Sequence, residues 1–186
     1  MKTVWNGKNL IKTLQKDGIV VIPTDTLYGI VGRALNENTV ERIYKLRKRN
    51  PKKPCIVLIG NISELEKFSV TLSEKQRQVL KRYWPGPVSV VLECLNDKFS
   101  YLYRDTKTLA FRLPAQEALR DLLMKTGPLV APSANPEGLL PARTIVEAKK
   151  YFGGAVDLYL DAGLITSKES KIIQLQKDGS VAVLRE

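Results

Sequence analysis

The sequence predicts one α/β domain, of either the alternating or the mixed α+β type. Short apolar runs typical of buried strands alternate with segments of helical periodicity along most of the chain. Its 186 residues suffice for one ordinary domain with a full core, and no linker-like composition divides them. We therefore expect a single domain over residues 1–186.

Composition and charge narrow the class of protein. Hydrophobic residues make up 44% of the chain and charged residues 26%, which is typical of a folded globular protein. The net charge of +11 favours polyanionic partners: nucleotides, RNA, DNA or an anionic membrane surface. The charge alone does not choose among these partners.

Missing residue types exclude several chemistries. The chain contains no histidine, which excludes a histidine-based catalytic triad and histidine metal ligands. Cys55 and Cys94 lie in apolar runs and are expected to be buried free thiols in a reducing compartment. No apolar run approaches the roughly 20 residues of a membrane span, and the N-terminus lacks a signal-peptide core. We expect a soluble, cytoplasmic protein without membrane partners.

In the first half of the chain, hydrophobic periodicity and breakers define the elements. Pro23 ends the first apolar run and opens a polar loop that leads to Gly29, and Ser73 is expected to cap a helix. The predicted strands cover residues 19–22, 55–59 and 88–92, and the predicted helices cover residues 9–16, 38–49, 63–68 and 73–83.

The second half continues the pattern after an irregular stretch at residues 95–106. Thr144 is expected to cap a helix with Glu147 as its capping-box partner, and Asp178-Gly179 predicts a hairpin turn. The predicted strands cover residues 108–113, 129–131, 157–160, 172–175 and 181–184, and the predicted helices cover residues 116–125 and 144–152.

The helix predicted at residues 38–49 carries an inward-facing cation. We expect Asn38 to cap it, with Glu41 as the capping-box partner. Its inward face is marked by three apolar residues at helical spacing, Val40, Ile43 and Tyr44. Arg47 is the next position on that face, and a buried guanidinium is costly unless it meets an anion. Lys48 is expected to face solvent.

A cluster of cations surrounds this helix end. Six of the ten residues at 45–54 are lysine or arginine, and none is acidic. One interpretation is an anion-binding site. The alternative is a solvated basic helix end, because cations near a helix C-terminus offset the helix dipole without any ligand. The inward position of Arg47 favours the anion site.

Three polar loops flank predicted strands, at residues 24–28, 47–53 and 133–135. Loops at strand ends are where open α/β sheets bind ligands. Hydroxyl and amide groups that can hold phosphate or carboxylate come from Thr24, Thr26, Ser133 and Asn135. Ser133 has no histidine to activate it as a nucleophile, and the Walker A pattern is absent. Taken singly, each loop is also compatible with a plain turn.

Four segments stand in a characteristic order: Pro-Thr-Asp-Thr-Leu-Tyr-Gly at 23–29, Trp-Pro-Gly-Pro at 84–87, Arg-Leu-Pro at 112–114, and Pro-Leu-Val-Ala-Pro-Ser-Ala-Asn at 128–135. Together they resemble the signature of the YrdC-like family of L-threonylcarbamoyladenylate synthases. The resemblance extends from about residue 9 to residue 185. It implies a twisted α/β sheet with flanking helices and a basic concave surface.

The resemblance also implies an activity. Such an enzyme, a nucleotidyltransferase, joins L-threonine, bicarbonate or CO2, and ATP into threonylcarbamoyl-AMP and pyrophosphate, with Mg²⁺ accompanying ATP. A downstream tRNA threonylcarbamoyl transferase uses the product to make N6-threonylcarbamoyladenosine at position 37 of tRNA. The chemistry needs cations that screen two anions rather than an acid–base histidine.

Family roles transfer to matching positions of this sequence. The L-threonine site would comprise Thr24, Arg112 and Ser170. The ATP site would comprise Arg47, Arg49, Lys53, Thr108, Ser133, Asn135 and Arg185. The resemblance assigns no catalytic residue and no metal ligand. Asp25 is the one candidate base, and a structural role in the turn is equally compatible with its position.

Three positions depart from the family pattern. Arg47 stands where the family carries the lysine of its Lys-x-Arg motif, Leu58 replaces a histidine found in many members, and Glu137 replaces the serine that follows the Ser-Ala-Asn loop. A planar guanidinium fork is not equivalent to an ammonium point charge. The alternative function is therefore a non-catalytic paralogue that binds double-stranded RNA or tRNA through the same basic surface.

Overall fold

One mixed, twisted sheet of nine strands runs through residues 4–186, the part of the chain described by the computed structural model. In chain order the strands are β1 (Val20–Pro23), β2 (Tyr28–Arg33), β3 (Ile56–Leu58), β4 (Val88–Glu93), β5 (Thr108–Arg112), β6 (Leu129–Val130), β7 (Leu158–Tyr159), β8 (Lys171–Leu175) and β9 (Val181–Arg185). Their order across the sheet is β7-β1-β2-β6-β3-β5-β4-β8-β9.

The strands combine parallel and antiparallel pairs. Strands β1 and β2 form an antiparallel hairpin, as do β8 and β9, whose turn contains Asp178 and Gly179 as predicted. The pairs β3–β5, β4–β8 and β1–β7 are parallel. The mixed sheet confirms the predicted α/β (α+β) class.

Helices cover both faces of the sheet. The α-helices are α1 (Lys8–Gln15), α2 (Glu37–Arg47), α3 (Glu74–Leu80), α4 (Ser100–Tyr103), α5 (Glu117–Thr126) and α6 (Ile145–Phe152). Short 3-10 helices lie at Val4–Asn6, Ile62–Phe68, Asp97–Phe99 and Gly153–Ala155. Successive residues of β1 enter different cores: Val21 packs with the larger one, and Val20 and Ile22 with the smaller.

Strand β2 was not predicted, and its glycines explain why. The sequence pattern predicts a loop that includes Tyr28 and Gly29, whereas β2 begins at Tyr28. Glycine is depleted in strands, but Gly32 has a packing role. A Cβ atom there would lie 2.4 Å from Thr39 Cγ2 and 3.1 Å from Ile43 Cδ1. The missing side chain thus lets α2 pack directly on β2.

The N-terminus of α2 differs from the prediction. Asn36, rather than Asn38, caps the helix, and its side chain accepts a hydrogen bond from the Thr39 amide at 2.9 Å. The expected capping box with Glu41 is therefore wrong. At the other end, Arg47 is the last helical residue, and Lys48 adopts a left-handed conformation with φ 47°. The helix thus ends two residues before the predicted limit.

Other predicted features vary in accuracy. The capping role of Ser73 is confirmed, and it forms a capping box with Gln76. Thr144 caps α6 as predicted, but the Glu147 carboxylate accepts a hydrogen bond from the Arg143 amide at 2.7 Å instead of from Thr144. The stretch at 95–106, predicted to be irregular, contains a 3-10 helix and α4.

An extended segment, residues 160–170, joins β7 to β8 without a helix or strand, and we call it the strap. The Tyr28 hydroxyl donates a hydrogen bond to the Gly163 carbonyl at 2.8 Å and accepts one from the Ala162 amide at 2.9 Å. The Ile165 amide donates to the Arg143 carbonyl at 2.9 Å. Hydrogen bonds to Tyr28 and Arg143 therefore hold the strap in place along its path from β7 to β8.

Both cysteines are free and buried, as predicted. Among residues 4–186, no helix is long and apolar enough to cross a membrane.

Candidate active site

A cleft of about 490 Å³ opens on one face of the sheet. Its floor includes Val91 of β4, Ala110 of β5 and Ile172 of β8. The residues that follow each of these, Leu92, Phe111 and Ile173, are buried in the larger core, because successive strand residues face opposite sides of a sheet. The strand pattern therefore leaves one face of β4, β5 and β8 open to a ligand.

Nine of the ten predicted site residues line this cleft: Thr24, Arg47, Arg49, Thr108, Arg112, Ser133, Asn135, Ser170 and Arg185. The tenth, Lys53, is not among the lining residues, and its side chain is 60% exposed. The structure thus brings together four loop segments, the end of α2 and strands β5 and β9, which are far apart in the chain. The ligand assigned to each residue stays a prediction.

Arg112 projects from the end of β5 and is only 3% exposed. Its Nη2 lies 3.0 Å from Asp25 Oδ1 and donates a weak hydrogen bond to Thr24 Oγ1 at 3.4 Å. Burial lowers the pKa of Arg112, and the charge of Asp25 opposes this shift. Its Nε is buried without a hydrogen-bond partner. A carboxylate ligand would supply the missing acceptor.

Asp25 has the properties of a positioning residue. Burial raises its pKa, and the nearby Arg112 guanidinium lowers it. Its side chain is only 5% exposed, and it does not line the cleft. The carboxylate therefore orients Arg112 from behind, which favours the structural role over that of a base. The neighbouring Thr24 Oγ1 donates to the Leu27 carbonyl at 2.8 Å, which fixes the turn.

Ser170 and Arg185 also line the cleft and contact each other. The buried Ser170 hydroxyl shares a hydrogen bond with Ser89 Oγ at 2.9 Å. Arg185 Nη2 donates to the Ser170 carbonyl at 2.8 Å, and its Nη1 is paired with Glu169. Ser89 is not among the predicted site residues. A serine inside an otherwise apolar predicted strand is the sequence feature that indicates a buried polar contact there.

Arg47 is 3% exposed, which confirms its predicted inward orientation. Its Nε donates to the Asn135 carbonyl at 2.9 Å, and its Nη2 donates to Ser133 Oγ at 3.2 Å. Burial lowers its pKa most, and the Arg49 charge adds to this shift. Nη1 is buried and has no hydrogen-bond partner among the protein atoms. The solvated-helix-end alternative fits Lys48, which is exposed, but is wrong for Arg47.

The Arg49 side chain forms its hydrogen bonds to backbone carbonyls of its own loop. Its Nη2 donates to the Pro54 carbonyl at 2.7 Å, and its Nε donates to the Lys53 carbonyl at 3.2 Å. The Tyr44 hydroxyl donates to the same Lys53 carbonyl at 2.7 Å. The loop at residues 50–54 is therefore held against the end of α2. Thr108 also lines the cleft, and its Oγ1 donates a hydrogen bond to Thr106 Oγ1 at 3.1 Å.

Glu137, one of the departures from the family pattern, is an acidic residue that lines this basic cleft. Its Oε1 accepts a hydrogen bond from Lys53 Nζ at 2.7 Å, and its Oε2 accepts one from the Asn50 amide. The hydrogen bond from Lys53 is the main cause of the lowered pKa of Glu137. Lys53 is thereby held at the edge of the cleft by a neighbouring carboxylate.

Within residues 4–186, no group of three or more Cys, Asp or Glu side chains is arranged to hold a metal ion.

The fold and the cleft define a class of protein: a mixed α/β protein with a cleft whose arginine, hydroxyl and amide groups suit small anionic ligands. The family is then given by comparison. The Sua5/YciO/YrdC family model, described as "Telomere recombination", matches residues 12–186. The chain belongs to this family.

Similar proteins of known name agree with this assignment. A threonylcarbamoyl-AMP synthase of Pyrococcus abyssi is 31% identical over 86% of this chain and 47% of its own length. One of Hahella chejuensis is 29% identical over 99% of this chain and 100% of its own length. The crystal structure of Pyrococcus abyssi Sua5 complexed with L-threonine is 29% identical, covers 98% of this chain and 54% of that chain, and has a TM-score of 0.83. The chain thus spans about half the length of the Pyrococcus proteins.

Proposed function

We propose that this protein is a nucleotidyltransferase that makes threonylcarbamoyl-AMP and pyrophosphate from L-threonine, bicarbonate or CO2, and ATP. The carrying observation is the cleft in which nine predicted ligand-binding side chains meet. The names of its relatives, including one that matches this chain from end to end, support the same activity. The L-threonine complex of a similar structure supports the amino-acid substrate.

Two groups of residues in the cleft suit two anions, and we assign them to its two ends. At one end, Arg112, Thr24 and Ser170 offer a guanidinium and hydroxyl groups, which suit the carboxylate and hydroxyl of threonine. At the other end, Arg47 and Asn135 offer a guanidinium and an amide, which suit the phosphates of ATP. The orphan Nε of Arg112 and Nη1 of Arg47 supply one free donor at each end.

This arrangement supports catalysis by positioning. A carbamate oxygen of N-carboxythreonine attacks the α-phosphorus of ATP, the bond from that phosphorus to its bridging oxygen breaks, and pyrophosphate leaves with the electron pair. The protein has to hold two anions in line and screen their repulsion. The buried cations at both ends do this at low cost in reorganisation, because their hydrogen bonds to the protein already fix them. No residue is needed to transfer a proton in this step.

We also assign the remaining participants. Mg²⁺ enters with the phosphates of ATP as part of the substrate complex. The product passes to a tRNA threonylcarbamoyl transferase that modifies tRNA at adenosine 37, which places the protein in the cytoplasm. We further assign residues 1–186 to one domain.

The decisive experiment is an activity assay on the purified chain. It combines ATP, L-threonine, bicarbonate and Mg²⁺, and follows pyrophosphate release and the mass of the nucleotide product. We expect threonine-dependent release of pyrophosphate together with threonylcarbamoyl-AMP. Absence of threonine-dependent release would remove the proposal. Tight, salt-sensitive binding of RNA without ATP binding would instead establish the RNA-binding alternative.

A further inference from the structure

Glu137 lies where the cations of the basic loop converge. Its carboxylate accepts hydrogen bonds from the Lys53 ammonium and from the Asn50 amide. The hydrogen bond from Lys53 lowers the pKa of Glu137 most, and the charge of Arg49 lowers it further. The charge of Glu137 raises the pKa of Arg47, although burial, which lowers that pKa, has the larger effect. One carboxylate therefore contacts a backbone amide and a lysine ammonium, and two arginines lie near enough to interact with its charge.

The two groups that bind Glu137 are donors of the kind that bind phosphate. A backbone amide in a turn and a lysine ammonium donate similar charge-assisted hydrogen bonds to carboxylate and phosphate oxygens. Glu137 lines the cleft and its side chain is 26% exposed, whereas Lys53 is 60% exposed and does not line the cleft. The carboxylate thus stands between the cleft and the loop donors.

The position of Glu137 is fixed by the backbone. Its amide donates a hydrogen bond to the Arg47 carbonyl at 2.7 Å, at the C-terminal end of α2. The Ser133–Asn135 loop just before it is held by the side chain of the same arginine. The carboxylate is therefore presented to the basic loop by the same framework that forms the predicted phosphate end of the cleft.

We propose that the Asn50 amide and the Lys53 ammonium form an anion subsite, which the Glu137 carboxylate occupies in the free protein. Glu137 must leave these donors before the terminal phosphate of a polyphosphate ligand binds them. The identity of the ligand as a polyphosphate rests on the proposed function. Glu137 then determines affinity in two ways: it competes for the donors, and its charge repels the incoming phosphate.

Isothermal titration with sodium pyrophosphate, without nucleotide or added metal, tests this proposal. Glu137→Gln keeps the length of the side chain and an acceptor for the Asn50 amide but removes the charge. We expect it to bind pyrophosphate about three- to tenfold more tightly than the wild type, as expected when a weak internal competitor is lost. Glu66→Gln is the matched control, because it removes the same charge at an exposed position that does not line the cleft.

Four outcomes would overturn the proposal. Unchanged binding of pyrophosphate by Glu137→Gln would show that Glu137 does not compete with the ligand. Weaker binding would show that Glu137 instead positions Lys53 for the ligand. An equal gain in Glu66→Gln would show a general effect of net charge. Lack of binding by all three proteins would show that the donors form no anion subsite.

A second measurement needs no variant. In ¹⁵N-labelled wild-type protein, saturating pyrophosphate must shift the amide resonance of Asn50 more than that of Gly154, which lies outside the cleft. An unmoved Asn50 resonance would also overturn the proposal. Both measurements report binding alone, so they stay informative if the activity assay fails. Conversely, a successful assay with no gain in Glu137→Gln would remove only this inference.

Discussion

Replacing Arg47 with alanine is the sharpest test of the nucleotide end of the cleft. The side chain offers a single unpartnered donor, Nη1, to a ligand. One charge-assisted hydrogen bond contributes about 1.5–3 kcal/mol, so Arg47→Ala should weaken ATP binding about ten- to a hundredfold. The exposed neighbour Lys48 provides the control, and Lys48→Ala should leave ATP affinity within about twofold of the wild type.

The same substitution should also lower stability. From the sequence, an inward cation without a ligand should strain the free protein, so its removal should leave stability nearly unchanged or even increase it. The hydrogen bonds of Arg47 to the Asn135 carbonyl and the Ser133 hydroxyl now favour the opposite sign. Leaving the buried Asn135 carbonyl and the half-buried Ser133 hydroxyl without this donor should cost about 1–3 kcal/mol in the free energy of unfolding.

Two assays separate these effects. Equilibrium dialysis with ATP measures affinity, and urea denaturation measures the free energy of unfolding. Arg47→Lys adds a useful comparison, because an ammonium group keeps the charge but cannot reproduce the planar fork. It should recover part of the ATP affinity and little of the contact with the Ser133–Asn135 loop. Equal and small effects of Arg47→Ala and Lys48→Ala on ATP binding would refute the reasoning.

Three further predictions concern the framework of the cleft. Gly32→Ala should lower the free energy of unfolding by about 1–3 kcal/mol, because a methyl group overfills the contact between α2 and β2; Gly154→Ala, with open space around it, should stay within about 0.5 kcal/mol, and urea denaturation compares them. Asp25→Asn should cost about 3–5 kcal/mol by the same measurement, because Arg112 would lose its buried counter-ion, and unchanged stability would contradict that role. The pKa of Glu137 lies below its ordinary 4.5, so its contribution to stability is complete above that pH and is lost as pH falls further. The difference in melting temperature between the wild type and Glu137→Gln should therefore shrink from about pH 6 to about pH 3, whereas a constant difference would argue against the ion pair.

The parts of the site predicted well are those set by local periodicity. The burial of Arg47 follows from its helical phase, and the capping role of Ser73 follows from its place before a periodic segment. The end of a helix is less well defined, because Asn36 and Asn38 are both good caps and only tertiary packing chooses between them. Strand β2 was missed because a strand with two glycines makes sense only beside the helix that packs on it.

Long-range partners were beyond local patterns. Ser170 and Ser89 are 81 residues apart in the chain, and their contact depends on the parallel pairing of β4 with β8. Lys53 was grouped correctly with the basic loop, but its place at the rim depends on Glu137, 84 residues away. The pattern of charges along the sequence thus indicates where the cleft lies. Contacts between residues far apart in the chain determine which cations remain available to a ligand.

The length of the strap limits how far apart β7 and β8 can lie. It joins strands in the first and eighth places of the order, which are seven strand spacings, or about 34 Å, apart along the sheet. Its 11 residues reach at most about 36–40 Å when fully extended. On a flat sheet the strap would have to be almost fully extended. It is not, because Gly163 has a φ of 77° and its amide donates a hydrogen bond to Asp161 Oδ1 at 2.8 Å. The twist of the sheet must therefore bring β7 and β8 closer together than they would lie in a flat sheet.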